Sequence, residues 1–170
     1  MPTGTYEFIS SFIFSTPANS HTFTSIPATY DDFIIIGANI TATEAQTMYW
    51  QANGDTSANY AQSLLLASSG FGAALTPSKS LSVSRGFLGS GITGVPPTKT
   101  GGFIMQMNQY SQSSYPKVAV VSYDQSDTGA EISTAMWTGT AAVYELKIFL
   151  NGGNFKSGTR FSMYGIKKAV

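Results

Sequence analysis

The sequence predicts an all-β protein, a jelly-roll-like sandwich of two antiparallel sheets with little helix. Charged residues make up only 11% of the 170-residue chain, whereas about 25% is usual in soluble domains. Aromatic residues make up 13%, and short aromatic and β-branched runs recur between turn residues, which is typical of such sandwiches. The chain shows no internal repeat or linker, so we expect a single domain over residues 1–170.

The first half of the chain contains a series of strand signals at short spacing. Residues 33–40 are apolar on both alternating faces, which indicates a strand covered on both sides. The strongest turn signal is Asn53-Gly54-Asp55, and it predicts a β-hairpin over residues 48–66. The strands predicted here are residues 6–14, 22–26, 33–40, 48–52 and 60–66.

The second half is richer in glycine and proline. Residues 86–102 hold repeated glycines and a Pro-Pro pair, and they are predicted to form a long loop or a meandering edge. The helical candidates are the short stretches 43–48 and 126–135. The strands predicted here are residues 81–85, 103–107, 117–123, 135–137, 143–150 and 160–166.

Several classes of function are excluded by charge and by rare residues. The formal net charge is zero, so we expect no general attraction for nucleic acid. Cysteine is absent and His21 is the only histidine, which excludes thiolate zinc and multi-histidine metal sites. No basic residue precedes residue 20, and the most apolar run, residues 33–36, is too short to cross a bilayer, so we expect neither a signal peptide nor membrane insertion.

The charges are divided unevenly between the two halves of the chain. Residues 1–78 carry five acidic and no basic residues, whereas residues 79–170 carry nine basic and four acidic ones. Two complementary faces could therefore meet between neighbouring subunits. Alternatively, strands from the two halves interleave within one sandwich, and we favour this interpretation because antiparallel folds exchange strands between sheets.

Few residues are candidates for chemistry. The spaced glycines of residues 89–94 could suggest a nucleotide site, but Pro96-Pro97 prevents the helix that would hold the phosphates, and a turn is expected. Asp124 and Asp127 could hold a calcium ion, although an Asx turn accounts for the same residues. His21 is expected to lie at the surface or between strands. We predict no catalytic residue, no cofactor and no metal.

The aromatic residues are the stronger candidates for contacts with partners. Trp50 and Trp137 could stack on sugar rings, or they could anchor the core or an interface. A charge-poor, aromatic-rich chain suits an obligate oligomer. We therefore expect a subunit or partner interface that includes Phe33, Ile35, Trp50, Trp137 and Tyr164.

Three stretches carry a joint pattern. They are GTYEFIS with FTSIPATYDDF at residues 4–10 and 23–33, NGDTSANY at residues 53–60, and FKSGTRFSMYGIK at residues 155–167. With these motifs the chain resembles a family of tailed-bacteriophage virion proteins, although Phe33, Thr159 and Met163 replace the residues usual at their positions. The resemblance covers roughly the first 65 and the last 30 residues.

The resemblance implies a non-enzymatic structural protein of the phage particle. We expect a homotrimeric capsid decoration (cement) protein that binds the major capsid protein or another virion protein on the capsid exterior after synthesis in the host cytoplasm. The alternative is a tail-fibre or head-fibre tip that binds a host surface receptor or glycan, with residues 68–115 as the contact region. A depolymerase is a further alternative.

The residues of the motifs are typical of scaffold rather than of an active site. Asn53-Gly54 is expected to supply positive-φ positions for a turn. Gly158 is expected to permit a bend into the last strand, and Phe161 and Met163 are expected to fill the core.

Overall fold

A computed structural model describes residues 6–68, 76–89, 100–125 and 129–167. All regular secondary structure in this part of the chain is β, as the composition predicts. The strands are β1 (Tyr6–Ile13), β2 (Ser20–Phe23), β3 (Asp32–Ile40), β4 (Met48–Ala52), β5 (Tyr60–Ser68), β6 (Thr76–Val83), β7 (Gly86–Gly89), β8 (Gly101–Asn108), β9 (Lys117–Gln125), β10 (Gly129–Trp137), β11 (Leu146–Leu150) and β12 (Arg160–Ile166).

The strands form two antiparallel sheets that pack face to face. The large sheet has the order β1-β12-β3-β8-β9-β10-β5-β6, and the small sheet has the order β2-β11-β4-β7. The predicted all-β sandwich is thus confirmed. Strands from the acidic and basic halves of the chain alternate along the small sheet and on one side of the large sheet, so the interleaved distribution of charge is also confirmed.

The predicted hairpin over residues 48–66 is wrong. β4 lies in the small sheet and β5 in the large sheet, so the Asn53-Gly54 turn carries the chain from one sheet to the other. The turn geometry itself is confirmed, because Asn53 has φ 52° and Gly54 has φ 68°. A positive-φ dipeptide thus reverses the chain here without pairing the strands on either side of it.

Both helical predictions are also wrong in the described residues. Residues 43–48 form no helix, and residues 129–135 belong to β10. β10 alternates between an inward face, which includes Glu131 and Ser133, and an outward face, which includes Ile132 and Thr134. Because polar residues lie on the buried face, the sequence lacks the alternation of apolar and polar residues that predicts a strand. Residues 126–128 lie outside the described part of the chain.

Several strand boundaries differ from the prediction. β7 lies within the predicted loop over residues 86–102, and β8 begins at the end of that loop; residues 90–99 lie outside the described part of the chain. β6 begins at Thr76, before the predicted strand at 81–85, and β11 begins at Leu146, three residues later than expected.

The core between the sheets is rich in aromatic rings. Phe14, Phe155 and Phe161 pack against one another with centroids 5.1–5.6 Å apart. The Trp50 ring lies over Gly86 of the neighbouring strand, so close that a Cβ at Gly86 would lie 2.2 Å from the ring. Glycine in a strand therefore makes room for a large ring to lie flat against the sheet.

Candidate functional site

Four of the five residues predicted for an interface lie in the core instead. Phe33, Ile35 and Trp50 are fully buried, and Trp137 is 4% exposed. Both sheets of this same chain cover these side chains, so the prediction that they contact a partner is wrong, and neither tryptophan is a platform for sugar. Tyr164 is half-buried and lies on the outward side of β12.

The outer face of the large sheet is a candidate assembly surface that the sequence pattern did not reveal. The pairing register aligns side chains into two rows that cross all eight strands. We call them row 1 and row 2. Row 1 consists of Phe8, Tyr164, Ile34, Gln106, Val120, Thr134, Ser63 and Lys79, and row 2 of Ser11, Ser162, Ile36, Ile104, Ser122, Ile132, Leu65 and Pro77.

Most side chains in these rows are exposed, nine of the sixteen are apolar, and all but one are uncharged. Phe8 is 61% exposed, Ile104 49% and Ile132 56%. The only charged residue in the two rows is Lys79, on the edge strand β6. Other charges on this face stand near strand ends, namely Asp32, Asp124 and Arg160. Removing water from the centre of this face therefore costs less free energy than it would on a typical charged protein surface.

The first and third motifs meet at the β1–β12 edge of the large sheet. The Tyr30 hydroxyl donates a hydrogen bond of 3.0 Å to Glu7 Oε2, and Lys167 forms an ion pair with the same carboxylate. The Tyr30 ring lies over Gly165, where a Cβ would meet it at 2.3 Å. Hydrogen bonds from Lys167 and Tyr30 lower the pKa of Glu7. This cluster fastens a loop onto the sheet edge.

The second motif fixes the crossover from β4 to β5. Asn53 donates from Nδ2 to Ala142 O over 2.8 Å, and its Oδ1 accepts from the Tyr144 amide over 3.0 Å. The Tyr60 hydroxyl accepts from the Ala52 amide over 3.0 Å and also hydrogen-bonds to the Asp55 carbonyl oxygen. Burial raises the pKa of Tyr60 to about 12, so the hydroxyl keeps its proton at neutral pH.

The third motif also has a structural role. Gly158 has φ +90°, which confirms the predicted bend. Thr159 is fully buried, and its hydroxyl donates to Asn39 O over 3.0 Å. Phe161 and Met163 are fully buried, as predicted. All three motifs thus hold strands and loops in place.

Gly54→Val is expected to destabilise the crossover by about 1–3 kcal/mol, because a β-branched residue resists positive φ. Space does not limit the substitution, since the nearest atom to a Cβ at this position would be Glu145 Oε1 at 3.9 Å. Thermal unfolding followed by circular dichroism measures the effect. An unchanged melting temperature would contradict the strain at this turn.

The remaining candidates for chemistry have no site around them in the described residues. His21 stacks on Phe12 with centroids 3.9 Å apart, and burial lowers its pKa. Asp124 is exposed, while Asp127 and most of the glycine run at residues 89–94 lie outside the described part of the chain. Among described residues no three His, Asp or Glu side chains group closely enough to hold a metal. Nor does any helix there have the length and apolarity to span a membrane.

Comparisons with known proteins assign no family. No protein-family model matches the sequence, and no curated protein matches it. An exo-inulinase from Aspergillus awamori resembles 95% of this chain with 13% identity and a TM-score of 0.39, and the matched region is only 29% of that enzyme. A protein of unknown function from Shewanella oneidensis covers 99% of this chain at 11% identity, with a TM-score of 0.24 and 79% of its own length matched. Likenesses this weak carry no inference about function.

Proposed function

We propose that this chain is a non-enzymatic structural protein of a tailed-phage particle, a capsid decoration protein that assembles as a homotrimer. The observation that carries the proposal is the outer face of the large sheet, with its exposed apolar residues in row 1 and row 2. The partner that we assign to this face is a second copy of the same chain, repeated around a threefold axis. The trimeric state rests on the resemblance to virion proteins.

The area of the face is sufficient for a permanent contact. Strands lie about 4.8 Å apart and rise about 3.3 Å per residue, so a sheet of this size presents roughly 1,000 Å². Stable protein interfaces bury about 800 Å² on each partner. A face of this extent is therefore expected to be covered in the assembled protein.

The roles of the motif residues favour a structural function over an enzymatic one. Each of the three motifs contributes a polar side chain that hydrogen-bonds to another part of the same chain. These side chains are Glu7, Asn53 and Thr159. Motifs of this kind preserve a shape rather than position a reacting group. A decoration protein depends on shape, because it must fit between its sister copies and the capsid surface.

Ile104→Lys is expected to dissociate the trimer, because the substitution places a charge at the centre of row 2. Light scattering after size exclusion is expected to give three times 18.1 kDa for the wild type and 18.1 kDa for the variant. The matched control is Tyr144→Lys. Tyr144 is 58% exposed and Ile104 is 49% exposed, but Tyr144 lies in the loop before β11, so this control stays trimeric. A monomeric wild type would overturn the proposed assembly.

The place on the particle needs a separate measurement. Immunogold labelling of purified virions is expected to decorate heads at many copies. Labelling confined to tail tips would instead support the fibre-tip alternative, in which the protein touches the host surface.

A further inference from the structure

The chain contains two Asn-Gly dipeptides, at residues 53–54 and 151–152, and the fold places them in different surroundings. In such a dipeptide the backbone nitrogen of the glycine can attack the side-chain amide carbon of the asparagine, because glycine has no Cβ to obstruct the approach. The asparagine side chain and the backbone next to it must rotate for this attack. Hydrogen bonds that hold the asparagine therefore protect it from the reaction.

Four hydrogen bonds hold Asn53 in place. Its backbone amide donates to Glu145 O over 2.9 Å, and its Nδ2 donates to Ala142 O over 2.8 Å. Its Oδ1 accepts from the amides of Tyr144 and Glu145 over 3.0 and 3.2 Å. All four partner atoms lie in the loop before β11, so the side chain turns toward Gly54 only when this loop separates from the crossover.

Asn151 lies in the loop between β11 and β12 and is exposed. Its backbone amide donates to Thr47 O over 3.0 Å. Among the described residues its side chain has a single partner, the Arg85 guanidinium, which donates to Oδ1 over 2.9 Å. No described residue accepts a hydrogen bond from Asn151 Nδ2 or from the amide of Gly152. Neither the leaving nitrogen nor the attacking nitrogen is therefore held by this part of the fold.

Arg85 also favours the attack electrostatically. Attack on the amide carbon of Asn151 moves negative charge onto Oδ1, and a cation that donates to this oxygen stabilises that charge. The Arg85 guanidinium lies 4.4 Å from the centre of the Tyr49 ring, which keeps it on the small sheet beside the loop. Water screens charges at a surface contact of this kind, so the acceleration is several-fold rather than as large as in an enzyme.

We propose that Asn151 is a site of spontaneous deamidation, with water as the co-reactant. The Gly152 nitrogen bonds to Cγ of Asn151 while the Cγ–Nδ2 bond breaks, and ammonia leaves with the proton that the Gly152 amide loses. Water then adds to either carbonyl of the resulting succinimide ring and opens it. The products at position 151 are aspartate and isoaspartate, and each adds a negative charge near Arg85.

The two products have different effects on the loop. Aspartate leaves the backbone unchanged and converts the contact with Arg85 into an ion pair. Isoaspartate adds a methylene group to the backbone and shifts the loop against its anchor, the hydrogen bond of 2.8 Å from the Thr43 amide to Asn154 O. The loop lies outside row 1 and row 2, so this proposal is independent of the assembly proposed above.

Peptide mapping by mass spectrometry measures both dipeptides in one sample of the purified full chain. A mildly alkaline buffer is used, because the attacking nitrogen must lose its proton. Deamidation at Asn151 is expected to be at least about tenfold faster than at Asn53. In the chain unfolded in urea the two rates are expected to converge, because both asparagines precede glycine. Equal rates in the folded protein, or an undiminished difference in urea, would overturn the proposal.

Arg85→Met removes the donor but keeps an unbranched side chain over Tyr49, and it is expected to slow deamidation at Asn151 about threefold. Lys147→Met is the matched control, because the Lys147 amine lies over a different ring, 5.2 Å from the centre of Phe149. Its rate is expected to equal that of the wild type. If Arg85→Met fails to fold, concentrated salt is expected to slow the wild type by screening the guanidinium. An unchanged rate would overturn the electrostatic role of Arg85.

Discussion

Gly86→Ala is expected to lower the free energy of unfolding by about 3 kcal/mol, because it overpacks a filled part of the core. A Cβ at this position would lie 2.2 Å from the Trp50 ring. Trp50 is fully buried, and the Tyr60 ring packs against it with centroids 5.4 Å apart. The indole therefore has no free space into which it can move.

Urea unfolding followed by tryptophan fluorescence measures the loss. Gly102→Ala is the matched control in another strand, because a Cβ there would meet only the Gly37 carbonyl oxygen at 3.3 Å, and its cost is expected to stay below about 1 kcal/mol. A double-mutant cycle with Trp50→Leu identifies the cause. The two substitutions are expected to cost less together than the sum of their separate effects. Strict additivity would contradict the overpacking.

Local signals in the sequence predicted most of the strands but not the sheets to which they belong. The dipeptide Asn53-Gly54 predicts positive φ angles, and both residues have positive φ in the structure. Whether β4 and β5 pair depends on distant contacts, such as the hydrogen bond from Asn53 to Ala142 O, 89 residues away. Such contacts leave no periodic pattern in the sequence. The local turn signal between two strands therefore predicts a hairpin, and this prediction is wrong.

The sequence also did not predict the apolar outer face of the large sheet, because that face depends on how distant strands pair. The alternation in residues 33–40 correctly marked a strand with two apolar faces, but it did not show which face lies inside. Among the described residues each strand gives only one to three apolar residues to the outer face, between serines, threonines and glutamines. Only the register joins Ile36, Ile104 and Ile132 into one row. A large aromatic side chain is suited to a buried core and also to an interface. The sequence alone therefore did not show that both tryptophans lie in the core.

Asp55→Asn is expected to lower the free energy of unfolding by about 2–3 kcal/mol at neutral pH. The asparagine NH₂ group would face N–H groups that donate to the carboxylate in the wild type. Asp55 Oδ2 accepts from Trp137 Nε1 over 2.7 Å and from Asn59 Nδ2 over 2.9 Å, and Oδ1 accepts from the Ser57 amide over 2.8 Å. In either orientation, the side-chain NH₂ of asparagine would face at least one of these N–H groups. The bond to Trp137 ties the crossover loop to the end of β10, so its loss loosens both sheets.

The effect is expected to depend on pH with a defined sign. Burial by itself raises the pKa of Asp55, but hydrogen bonds from Asn59, Trp137 and Ser57 outweigh it and hold the pKa below its ordinary value of 3.8. A carboxylate whose pKa is lowered on folding stabilises the protein above the unfolded pKa. This stabilisation is lost as the pH falls through the folded pKa. The difference between wild type and Asp55→Asn is therefore complete at neutral pH and shrinks below pH 3.8.

Thermal unfolding of both proteins between about pH 7 and pH 2.5 measures this convergence. Trp137→Phe keeps a large ring but removes the indole donor, so it is expected to bring the pKa of Asp55 closer to 3.8 in an NMR titration of the carboxyl group. Melting curves of wild type and Asp55→Asn that stay parallel over the whole range would show that the carboxylate adds no charge-dependent stability. The crossover would then depend on Asn53 and Tyr60, whose hydrogen bonds to Ala142, Tyr144 and Ala52 do not titrate near pH 4.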